Sequence, residues 1–214
     1  MKCLFDIVFS LFGLILLSPL LIALAFRIKK EDGGPVFYRG LRVGLKGKSF
    51  RIFKFRTMVV DAENRGASST SDDDTRITRI GKFLREYKLD ELPQLINVLR
   101  GDMSFVGPRP EVKKFTDLLS EEEKAILTVR PGITDWASIW NSDEGSVLAG
   151  VDDPDKAYFE LIRPTKIKLQ LKYVRERSLI TDLNIILLTL QAIVKPESQA
   201  VREIRGQSEV RSQE

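Results

Sequence analysis

An apolar N-terminal segment constrains this chain more than any other feature. Residues 4–26 are polar only at Asp6, Ser10 and Ser18. Because about 20 consecutive apolar residues suffice for a helix to cross a bilayer, the segment predicts a membrane location. A cleaved signal peptide is the alternative, since Ala23-Leu24-Ala25 resembles a cleavage site. The apolar run is, however, longer than the ~7–15 residues of a signal peptide core.

The composition of this segment leaves its path through the membrane open. Pro19 has no amide hydrogen for the Ile15 carbonyl, so the sequence predicts a bend at Ser18-Pro19. Basic residues flank the segment on both sides, namely Lys2, Arg27, Lys29 and Lys30. The positive-inside rule therefore gives no single orientation and is compatible with two cytoplasmic ends. A kinked full span and a re-entrant hairpin both fit these residues.

The overall composition excludes several classes of function. With 34 Lys and Arg against 30 Asp and Glu, the net charge is +4 and the pI is near 9.1. This mild excess suits anionic lipids or phosphate-bearing ligands but is too small to indicate nucleic acid binding. The chain has no histidine, which excludes Ser-His-Asp and Cys-His catalysis and histidine metal sites. Its single cysteine, Cys3, cannot form an internal disulfide. A chain without disulfides is typical of proteins in a reducing compartment.

Two predicted strands follow the apolar segment. Gly33-Gly34-Pro35 predicts a turn, and residues 36–43 and 49–58 read as a small β-hairpin around residues 44–48. Alternation along residues 53–56 places both phenylalanine rings on one face and Lys54 with Arg56 on the other. Two neighbouring cations can hold a diphosphate. A polar face that merely meets water is the alternative.

Residues 61–75 are poor in apolar side chains and rich in Ser, Asp and Gly. This composition predicts a mobile surface loop that is able to close over a site. Within it, Asp72 and Asp74 form a D-x-D pair, a pattern that binds a metal with the nucleotide sugar in some glycosyltransferases. Helix capping or plain solvation is the alternative for these two aspartates.

The remaining helices are predicted from apolar residues at helical spacing. Two amphipathic helices are indicated by Ile80, Phe83, Leu84 and Tyr87, and then by Leu92, Leu95, Ile96 and Leu99. Ser120 and the glutamates after it open another helix. Residues 181–194 predict a very apolar helix that packs in the core or lies on the membrane surface. The polar tail, residues 196–214, is predicted to be disordered.

Asp90 and Glu91 form a carboxylate pair at the junction of the two amphipathic helices. Pro93 cannot donate to the Leu89 carbonyl, so a helix kinks or restarts there. If it restarts, Asp90 is positioned as an N-cap, and simple capping is one explanation of the pair. The functional explanation uses the same geometry, because a helix N-terminus stabilises an ionised carboxylate and attracts phosphate. An ionised aspartate can attack phosphorus.

Cations near this pair are expected to neutralise it. Two adjacent carboxylates repel each other unless a divalent cation or an arginine is close, and Mg²⁺ prefers one or two carboxylates together with phosphate oxygens. Arg85 precedes Asp90 by little more than one helical turn. Residues 101–110 form a loop punctuated by Gly and Pro around Arg109, whose guanidinium suits bidentate phosphate binding. A surface loop with an incidental arginine is the alternative.

Several motifs, in this order along the chain, resemble the bacterial sugar transferases, also called monotopic phosphoglycosyl transferases. They are Ser18-Pro19, Gly34-Pro35-Val36-Phe37, Phe53-Lys54-Phe55-Arg56-Thr57-Met58, Leu89-Asp90-Glu91-Leu92-Pro93-Gln94-Leu95, residues 101–110 and Arg130-Pro131-Gly132-Ile133-Thr134. The resemblance covers nearly the whole chain. It implies an α+β, mainly α fold with a re-entrant membrane helix over residues 1–30, broken at Ser18-Pro19. A cytoplasmic catalytic domain over residues 31–195 and the polar tail 196–214 complete the expected organisation.

The resemblance also implies amphipathic helices at the membrane interface, a location on the cytoplasmic face of the bacterial inner membrane, and a Mg²⁺-dependent reaction in two steps. Asp90 would attack the β-phosphate of a UDP-sugar, release UMP and hold the phosphosugar covalently until polyprenyl phosphate accepts it. Glu91 would help Asp90 to hold Mg²⁺. The residues expected to contact substrate are Lys54, Arg56, Arg85, Pro108 and Arg109. The acceptor is already an anion, so no strong base is required, which fits the absence of histidine.

Departures from the family pattern limit what the resemblance implies about the sugar. Many members have Gly and Gln where this chain has Asp135 and Ser138, and Gln is frequent where it has Gly40. A particular donor sugar is therefore not assigned. Two other hypotheses remain. One is a glycosyltransferase that uses Asp72 and Asp74 and releases UDP, and the other is a membrane-anchored assembly protein whose basic face binds anionic lipid or a partner.

Overall fold

The computed structural model describes residues 2–65, 69–142, 144–194 and 204. Within these residues the fold is mostly helical and contains three two-stranded sheets. The predicted α+β, mainly α class is confirmed at this level. The prediction of a disordered tail over residues 196–214 falls, apart from Ile204, outside the described residues.

Helix α1 (Lys2–Asp32) contains Pro19 without ending there. The Ser18 hydroxyl donates a 2.8 Å hydrogen bond to the Ile15 carbonyl. In a regular helix this carbonyl would accept from the amide of residue 19, but Pro19 has no amide hydrogen. The predicted break at Ser18-Pro19 is therefore wrong as an interruption of helical structure. The helix continues through this point and beyond the predicted boundary at residue 30, and its re-entrant path stays a prediction.

The first half of α1 buries polar side chains and exposes apolar ones, unlike a water-soluble helix. Asp6 and Ser10 are buried against the rest of the protein. The exposed large apolar side chains of α1 are Leu4, Ile7, Val8, Phe9, Leu11, Phe12, Ile15, Leu16, Leu20, Ile22 and Phe26. It is the one helix in the described part of the chain that is long and apolar enough to cross a membrane. An apolar surface of this extent requires apolar surroundings.

The predicted hairpin forms, but each of its strands is interrupted. Strand β1 (Phe37–Tyr38) pairs antiparallel with β4 (Lys54–Phe55), and β2 (Leu41–Val43) pairs antiparallel with β3 (Ser49–Arg51). The Phe37 ring contacts the rings of Phe53 and Phe55, with centroid separations of 5.9 and 5.6 Å. These two rings therefore share a face, as the alternation predicts.

The middle of the chain contains the two predicted amphipathic helices. Helix α2 (Arg79–Glu86) begins after Thr78, whose Oγ1 accepts a 3.0 Å hydrogen bond from the Gly81 amide. A 3₁₀ helix, Leu89–Gln94, then leads into α3 (Leu95–Arg100). Strand β5 (Ser104–Val106) follows and pairs in parallel with β6 (Gly132–Thr134). The sequence did not predict this parallel pair.

A close backbone contact joins the residue after β5, Gly107, to the first residue of β6, Gly132. A Cβ atom added to Gly107 would lie 2.3 Å from the Arg130 carbonyl oxygen, and one added to Gly132 would lie 2.1 Å from the Gly107 nitrogen. Larger residues are excluded at both positions by this contact. The approach brings the loop after β5, which carries Pro108 and Arg109, against the start of β6.

The second half of the chain is helical. It contains α4 (Lys113–Thr116), the 3₁₀ helix Glu123–Thr128, α5 (Trp136–Trp140), α6 (Glu144–Val147), α7 (Pro154–Ala157), α8 (Arg163–Glu176) and α9 (Leu179–Val194). A helix follows Ser120 as predicted, but it is a 3₁₀ helix that begins at Glu123, with Glu122 as its N-cap and no side-chain cap. Ser120 and Glu123 exchange reciprocal hydrogen bonds of 2.9 and 3.2 Å at the turn before it. Helix α8 was not predicted.

The described part of the aspartate-rich loop is docked on this half of the protein. Asp155 accepts a 2.8 Å hydrogen bond from the Ser69 amide, and Asp73 accepts one of 3.2 Å from the Gly150 amide. The Asp72 amide donates to the Gly145 carbonyl at 3.1 Å. These contacts anchor residues 69–73, so the predicted mobility is not observed for them.

Helix α9 has one buried face and one exposed apolar face. Ile185 and Ala192 are buried in a core cluster with Val106, Ile139 and Tyr173. The opposite side is exposed, through Leu179, Ile180, Leu183, Leu187, Leu190, Ile193 and Val194. One face thus packs in the core, while contact of the other with a membrane surface stays a prediction.

Helix α1 contacts the rest of the protein at both of its ends. Near its start, the Lys2 ammonium donates to the Asp182 carboxylate of α9 and, at 3.1 Å, to the Val106 carbonyl of β5. Near its end, Leu24 and Ile28 pack with residues of β4 and α2. Between them, a Cβ added to Gly13 would lie 3.2 Å from the Leu95 side chain of α3. The helix therefore lies along one side of the remaining fold.

Candidate active site

The carboxylate pair lies in a tight turn of the chain between α2 and α3. Lys88 has a φ of 54°, in the left-handed region, and reverses the chain into the 3₁₀ helix Leu89–Gln94. Asp90 and Glu91 occupy its first turn, and no side-chain cap is formed at its start. The helix therefore restarts as predicted, but Asp90 is not its N-cap. Simple capping does not explain the pair.

Glu91 is held by two cations. Its Oε1 accepts a 2.7 Å hydrogen bond from the Lys54 ammonium, and its Oε2 accepts one of 2.7 Å from the Arg109 guanidinium, whose second terminal nitrogen bonds Oε1. Burial by itself raises the pKa of Glu91, but the charges and hydrogen bonds of Arg109 and Lys54 prevail and hold that pKa far below its usual range. Glu91 is therefore a fixed anion.

Asp90 has a different environment from its neighbour. It is buried, with 7% of its surface exposed, and Lys54 Nζ lies 3.7 Å from its Oδ2, beyond hydrogen-bond distance. Burial raises the pKa of Asp90 and the negative charge of Glu91 adds to this, whereas Lys54, Arg85 and Arg109 offset part of the rise. The carboxylate of Asp90 is thus less stabilised in its ionised form than that of Glu91.

Arg109 is positioned by the loop that follows β5. Its guanidinium donates to the Ile133 carbonyl of β6 at 2.6 Å as well as to Glu91. Its backbone amide donates to the Asp135 carboxylate at 3.2 Å. Pro108 precedes it in the loop and lines, with Arg109, a cleft that extends towards α8. The predicted cation therefore lies beside the carboxylate pair.

Arg85 approaches the pair from α2. Its Nε donates a 3.0 Å hydrogen bond to the Thr57 hydroxyl, and in the described part of the chain no carboxylate lies within ion-pair distance of it. Burial lowers the pKa of Arg85, and the negative charges of Asp90 and Asp74 oppose that shift. Among the opposing charges, that of Asp90 has the largest effect on the pKa of Arg85, so this guanidinium interacts electrostatically with the candidate nucleophile.

Arg56 is not brought together with the carboxylate pair. Its guanidinium forms two hydrogen bonds with the Asp32 carboxylate at the end of α1, of 2.7 and 2.5 Å. It also donates to the carbonyls of Pro35 and Met58. This geometry does not support the predicted role of Arg56 in diphosphate binding. The residue instead connects α1 to the hairpin.

The D-x-D pair is divided between two other contacts. Both oxygens of Asp74 accept hydrogen bonds from the Arg76 guanidinium, at 2.6 to 3.0 Å. The Asp72 carboxylate lies beside Gly145, where an added Cβ would clash with it. Among the described residues, no group of three or more acidic, histidine or cysteine side chains is arranged to hold a metal.

Two residues that sequence reasoning did not assign to the site contact its cations. Thr57 fixes Arg85, and Asp135 fixes the backbone of Arg109. Thr57 lies in one of the family motifs, but its local sequence gives no sign of its partner. Asp135 is noticeable in the sequence because it departs from the family pattern, but this departure does not predict what the residue does.

Comparison with known proteins identifies the family of this chain. The sequence profile of the family described as "Bacterial sugar transferase" matches residues 1–196. The chain belongs to the bacterial sugar transferase family. The matched range includes α1, the carboxylate pair and all of the cations around it.

Several characterised and uncharacterised bacterial sugar transferases are similar to this chain. A UDP-N-acetylgalactosamine-undecaprenyl-phosphate N-acetylgalactosaminephosphotransferase of Aeromonas hydrophila is 39% identical over 88% of this chain and 42% of its own length. A UDP-glucose:undecaprenyl-phosphate glucose-1-phosphate transferase of Escherichia coli strain K12 is 35% identical over 86% of this chain and 38% of its own length. An uncharacterized sugar transferase of Bacillus subtilis strain 168, EpsL, is 34% identical over 92% of this chain and 89% of its own length.

This member of the family thus spans less than half of the length of two of these relatives. It is similar in extent to the third, which it matches over most of both chains. The part shared with all three contains Asp90, Glu91 and the cations that surround them, because each alignment covers at least 86% of this chain.

Proposed function

We propose that this protein transfers a sugar 1-phosphate from a UDP-sugar to a polyprenyl phosphate, such as undecaprenyl phosphate, and releases UMP. The reaction would be the first membrane step in the synthesis of a polysaccharide or glycoconjugate. Membership of the sugar transferase family supports the reaction class. The names of two relatives combine a UDP-sugar with undecaprenyl phosphate, which supports the two substrate classes.

The observation that carries the proposal is that the cations Lys54 and Arg109 form hydrogen bonds with Glu91 and not with Asp90. Glu91 accepts hydrogen bonds from Lys54 and Arg109. Asp90 Oδ2 lies 3.7 Å from Lys54 Nζ and accepts no hydrogen bond from it. One carboxylate is thus used to fix the cations. The other is available as a nucleophile within a group of positive charges that suits phosphate.

In the proposed first step, Asp90 acts as the nucleophile. An Asp90 carboxylate oxygen attacks the β-phosphorus of the donor, the bond from that phosphorus to the bridging oxygen breaks, and UMP leaves with the bond's electron pair. The product is a phosphosugar bonded to Asp90. Lys54, Arg85 and Arg109 stabilise the negative charge on the phosphate oxygens during this step.

The second step returns the enzyme to its starting state. An anionic oxygen of polyprenyl phosphate attacks the same phosphorus, and the Asp90 carboxylate leaves. The product is a polyprenyl diphosphate sugar, whose phosphates the same cations accommodate. Because the acceptor is ionised at neutral pH, no general base is required, which is consistent with a chain that has no histidine.

A divalent cation fits the donor set at this site. Two adjacent carboxylates, Asp90 and Glu91, with donor phosphate oxygens form the kind of oxygen environment that Mg²⁺ prefers. Because no third acidic, histidine or cysteine ligand joins them among the described residues, phosphate oxygens and water would complete the coordination. When bound, Mg²⁺ would neutralise charge on the diphosphate and polarise it.

The arrangement of α1 supports a re-entrant path and a cytoplasmic catalytic domain. A straight α-helix of 31 residues extends about 46 Å, longer than a bilayer core. If it spanned the membrane, Lys2 would be separated by the bilayer from the domain that it contacts at Val106 and Asp182. Both ends of α1 instead meet the same domain. The exposed apolar faces of α1 and α9 would then lie in the cytoplasmic leaflet and at its interface.

The decisive experiment measures UMP release by the purified protein with Mg²⁺, first without and then with undecaprenyl phosphate. UDP-N-acetylgalactosamine and UDP-glucose are suitable probes, since both occur in relatives' names. We expect a burst of UMP before acceptor is added, and a phosphosugar adduct on Asp90 by mass spectrometry. Full turnover by the Asp90→Asn variant would contradict the proposal. Release of UDP would instead favour a glycosyltransferase.

A further inference from the structure

Asp135 is a wholly buried carboxylate that lies outside the carboxylate pair. Its exposed fraction is 0%, and it stands directly before α5 at the end of β6. A carboxylate without hydrogen bonds is costly to bury. Asp135 accepts four hydrogen bonds, from donors in three separate parts of the chain.

The two oxygens of Asp135 serve different purposes. Oδ1 accepts from the amide and the hydroxyl of Ser138, both at 2.7 Å, and thereby caps α5. Oδ2 accepts from the Arg109 amide and from the Gln170 side chain of α8, both at 3.2 Å. Capping accounts for the first oxygen only, and a serine at this position would cap as well. The second oxygen connects the Arg109 loop to α8.

We propose that Asp135, with Gln170, is a positioning residue for Arg109. The inference rests on the proposed function, because Arg109 is there a phosphate-binding cation. A fixed backbone holds the Arg109 guanidinium where it can bind Glu91 and a donor phosphate. Asp135 Oδ2 accepts a hydrogen bond from the amide of that backbone. Gln170 is itself buried, with 2% of its surface exposed, and so holds the carboxylate from the far side.

This role explains why a buried acid stands at a position where the helix needs only a cap. The neighbouring backbone of the loop of residues 107–110 is held by other contacts, namely the hydrogen bonds of the Gly107 amide and the Pro108 carbonyl with β6, whereas the Arg109 amide itself is held by Asp135. Loss of the Oδ2 contacts would leave the Arg109 amide without its acceptor inside the protein. The guanidinium would then sample other positions around Glu91.

The test compares Asp135→Ser, which keeps a cap for α5 but removes Oδ2, with Ser138→Ala, which removes one Oδ1 contact and leaves Oδ2 in place. The first readout is amide hydrogen exchange in the peptide containing Arg109, which does not depend on activity. We expect exchange to accelerate about tenfold in Asp135→Ser and to change by less than about threefold in Ser138→Ala. Equal exchange in the wild type and Asp135→Ser would overturn the contact.

The second readout is a double-mutant cycle with Arg109→Lys, measured as kcat/KM for UMP release from UDP-N-acetylgalactosamine or UDP-glucose. We expect Asp135→Ser to lower kcat/KM by about ten- to a hundredfold in the wild-type background. In the Arg109→Lys background the same change should have an effect below about threefold, because the residue that it positions is already altered. Independent, multiplicative effects would indicate a purely structural role and overturn the proposal.

A folding control and the exchange readout, which does not depend on activity, keep these outcomes distinct. If Asp135→Ser fails to fold by circular dichroism, Asp135→Asn replaces it, because Asn keeps the cap and the volume but presents an amide donor to the Arg109 N–H. If the wild-type protein releases no UMP from any donor, the proposed function fails. The exchange experiment then still decides whether Asp135 fixes the Arg109 backbone.

Discussion

Asp90 and Glu91 are neighbours in the chain, but their carboxyl groups have pKa values displaced in opposite directions. The pKa of Asp90 is raised, first by burial and then by the charge of Glu91, despite three nearby cations. The pKa of Glu91 is lowered because Arg109 and Lys54 bond it directly and outweigh its burial. The surroundings therefore favour the ionised form of Glu91 and disfavour the ionised form of Asp90.

The raised pKa of Asp90 predicts a specific acid limb in the pH profile. The attacking form is the carboxylate, so kcat/KM for UMP release should fall as the pH decreases through a pKa above the ~3.9 of an unperturbed aspartate. Glu91 stays ionised over the same range. A profile that stays flat down to pH ~4 in protein shown to be folded by circular dichroism would contradict this assignment.

Asp90→Asn should inactivate the protein and stabilise it. Activity should fall on the order of a thousandfold or more, because the nucleophile is lost. An acid whose folded pKa is raised weakens the folded state above that pKa, and the penalty is relieved as the pH falls through it. Removing the charge at neutral pH should therefore raise the melting temperature, by roughly 2–4 °C for each kcal/mol relieved. A lower melting temperature in detergent would contradict the raised pKa.

Glu91→Gln should have the opposite effect on stability. An acid whose folded pKa is lowered stabilises the folded state above its unfolded pKa, and this contribution is lost as the pH falls below ~4.3. The amide leaves Arg109 and Lys54 without their anion, which should cost roughly 3–5 kcal/mol at neutral pH. Denaturant titration alongside Asp90→Asn provides the matched comparison, and equal midpoints for the two variants would refute the assignment.

The single natural cysteine allows a direct test of the path of α1. Cys3 is exposed at the start of the helix, and Lys30 is exposed near its end. A membrane-impermeant maleimide should label Cys3 in the wild type, and the new thiol in Cys3→Ser/Lys30→Cys, in inverted vesicles and not in intact cells. Labelling of the two thiols from opposite sides would establish a full span. A periplasmic cysteine reporter controls for vesicle orientation.

Removal of divalent metal should stop the reaction without unfolding the protein. We expect a chelator to abolish UMP release and Mg²⁺ to restore it, while the melting temperature without donor is little changed. Only Asp90 and Glu91 of the described residues are proposed as protein ligands, so the metal should bind together with the donor diphosphate. Undiminished UMP release in excess chelator would rule out this requirement.

Local sequence predicted those parts of the fold whose determinants are close together in the chain. The apolar segment, the hairpin, α2 and the restart of the helix near Pro93 all follow from periodicity or from proline chemistry. Helical structure continues through the predicted break at Ser18-Pro19, where the Ser18 hydroxyl satisfies the carbonyl that proline leaves unbonded, and a bend at this point stays a prediction. The parallel pair of β5 and β6 was missed because its strands are short and distant in sequence.

The sequence by itself determined which chemical groups this protein has: an apolar segment for the membrane, two adjacent carboxylates, several cations and no histidine. Only the tertiary structure decided how those cations are distributed. Lys54 reaches Glu91, whereas Arg56, two residues later, reaches Asp32. Each choice depends on which distant segment packs against the hairpin. Such contacts arise from the burial of whole elements, and no local pattern encodes them.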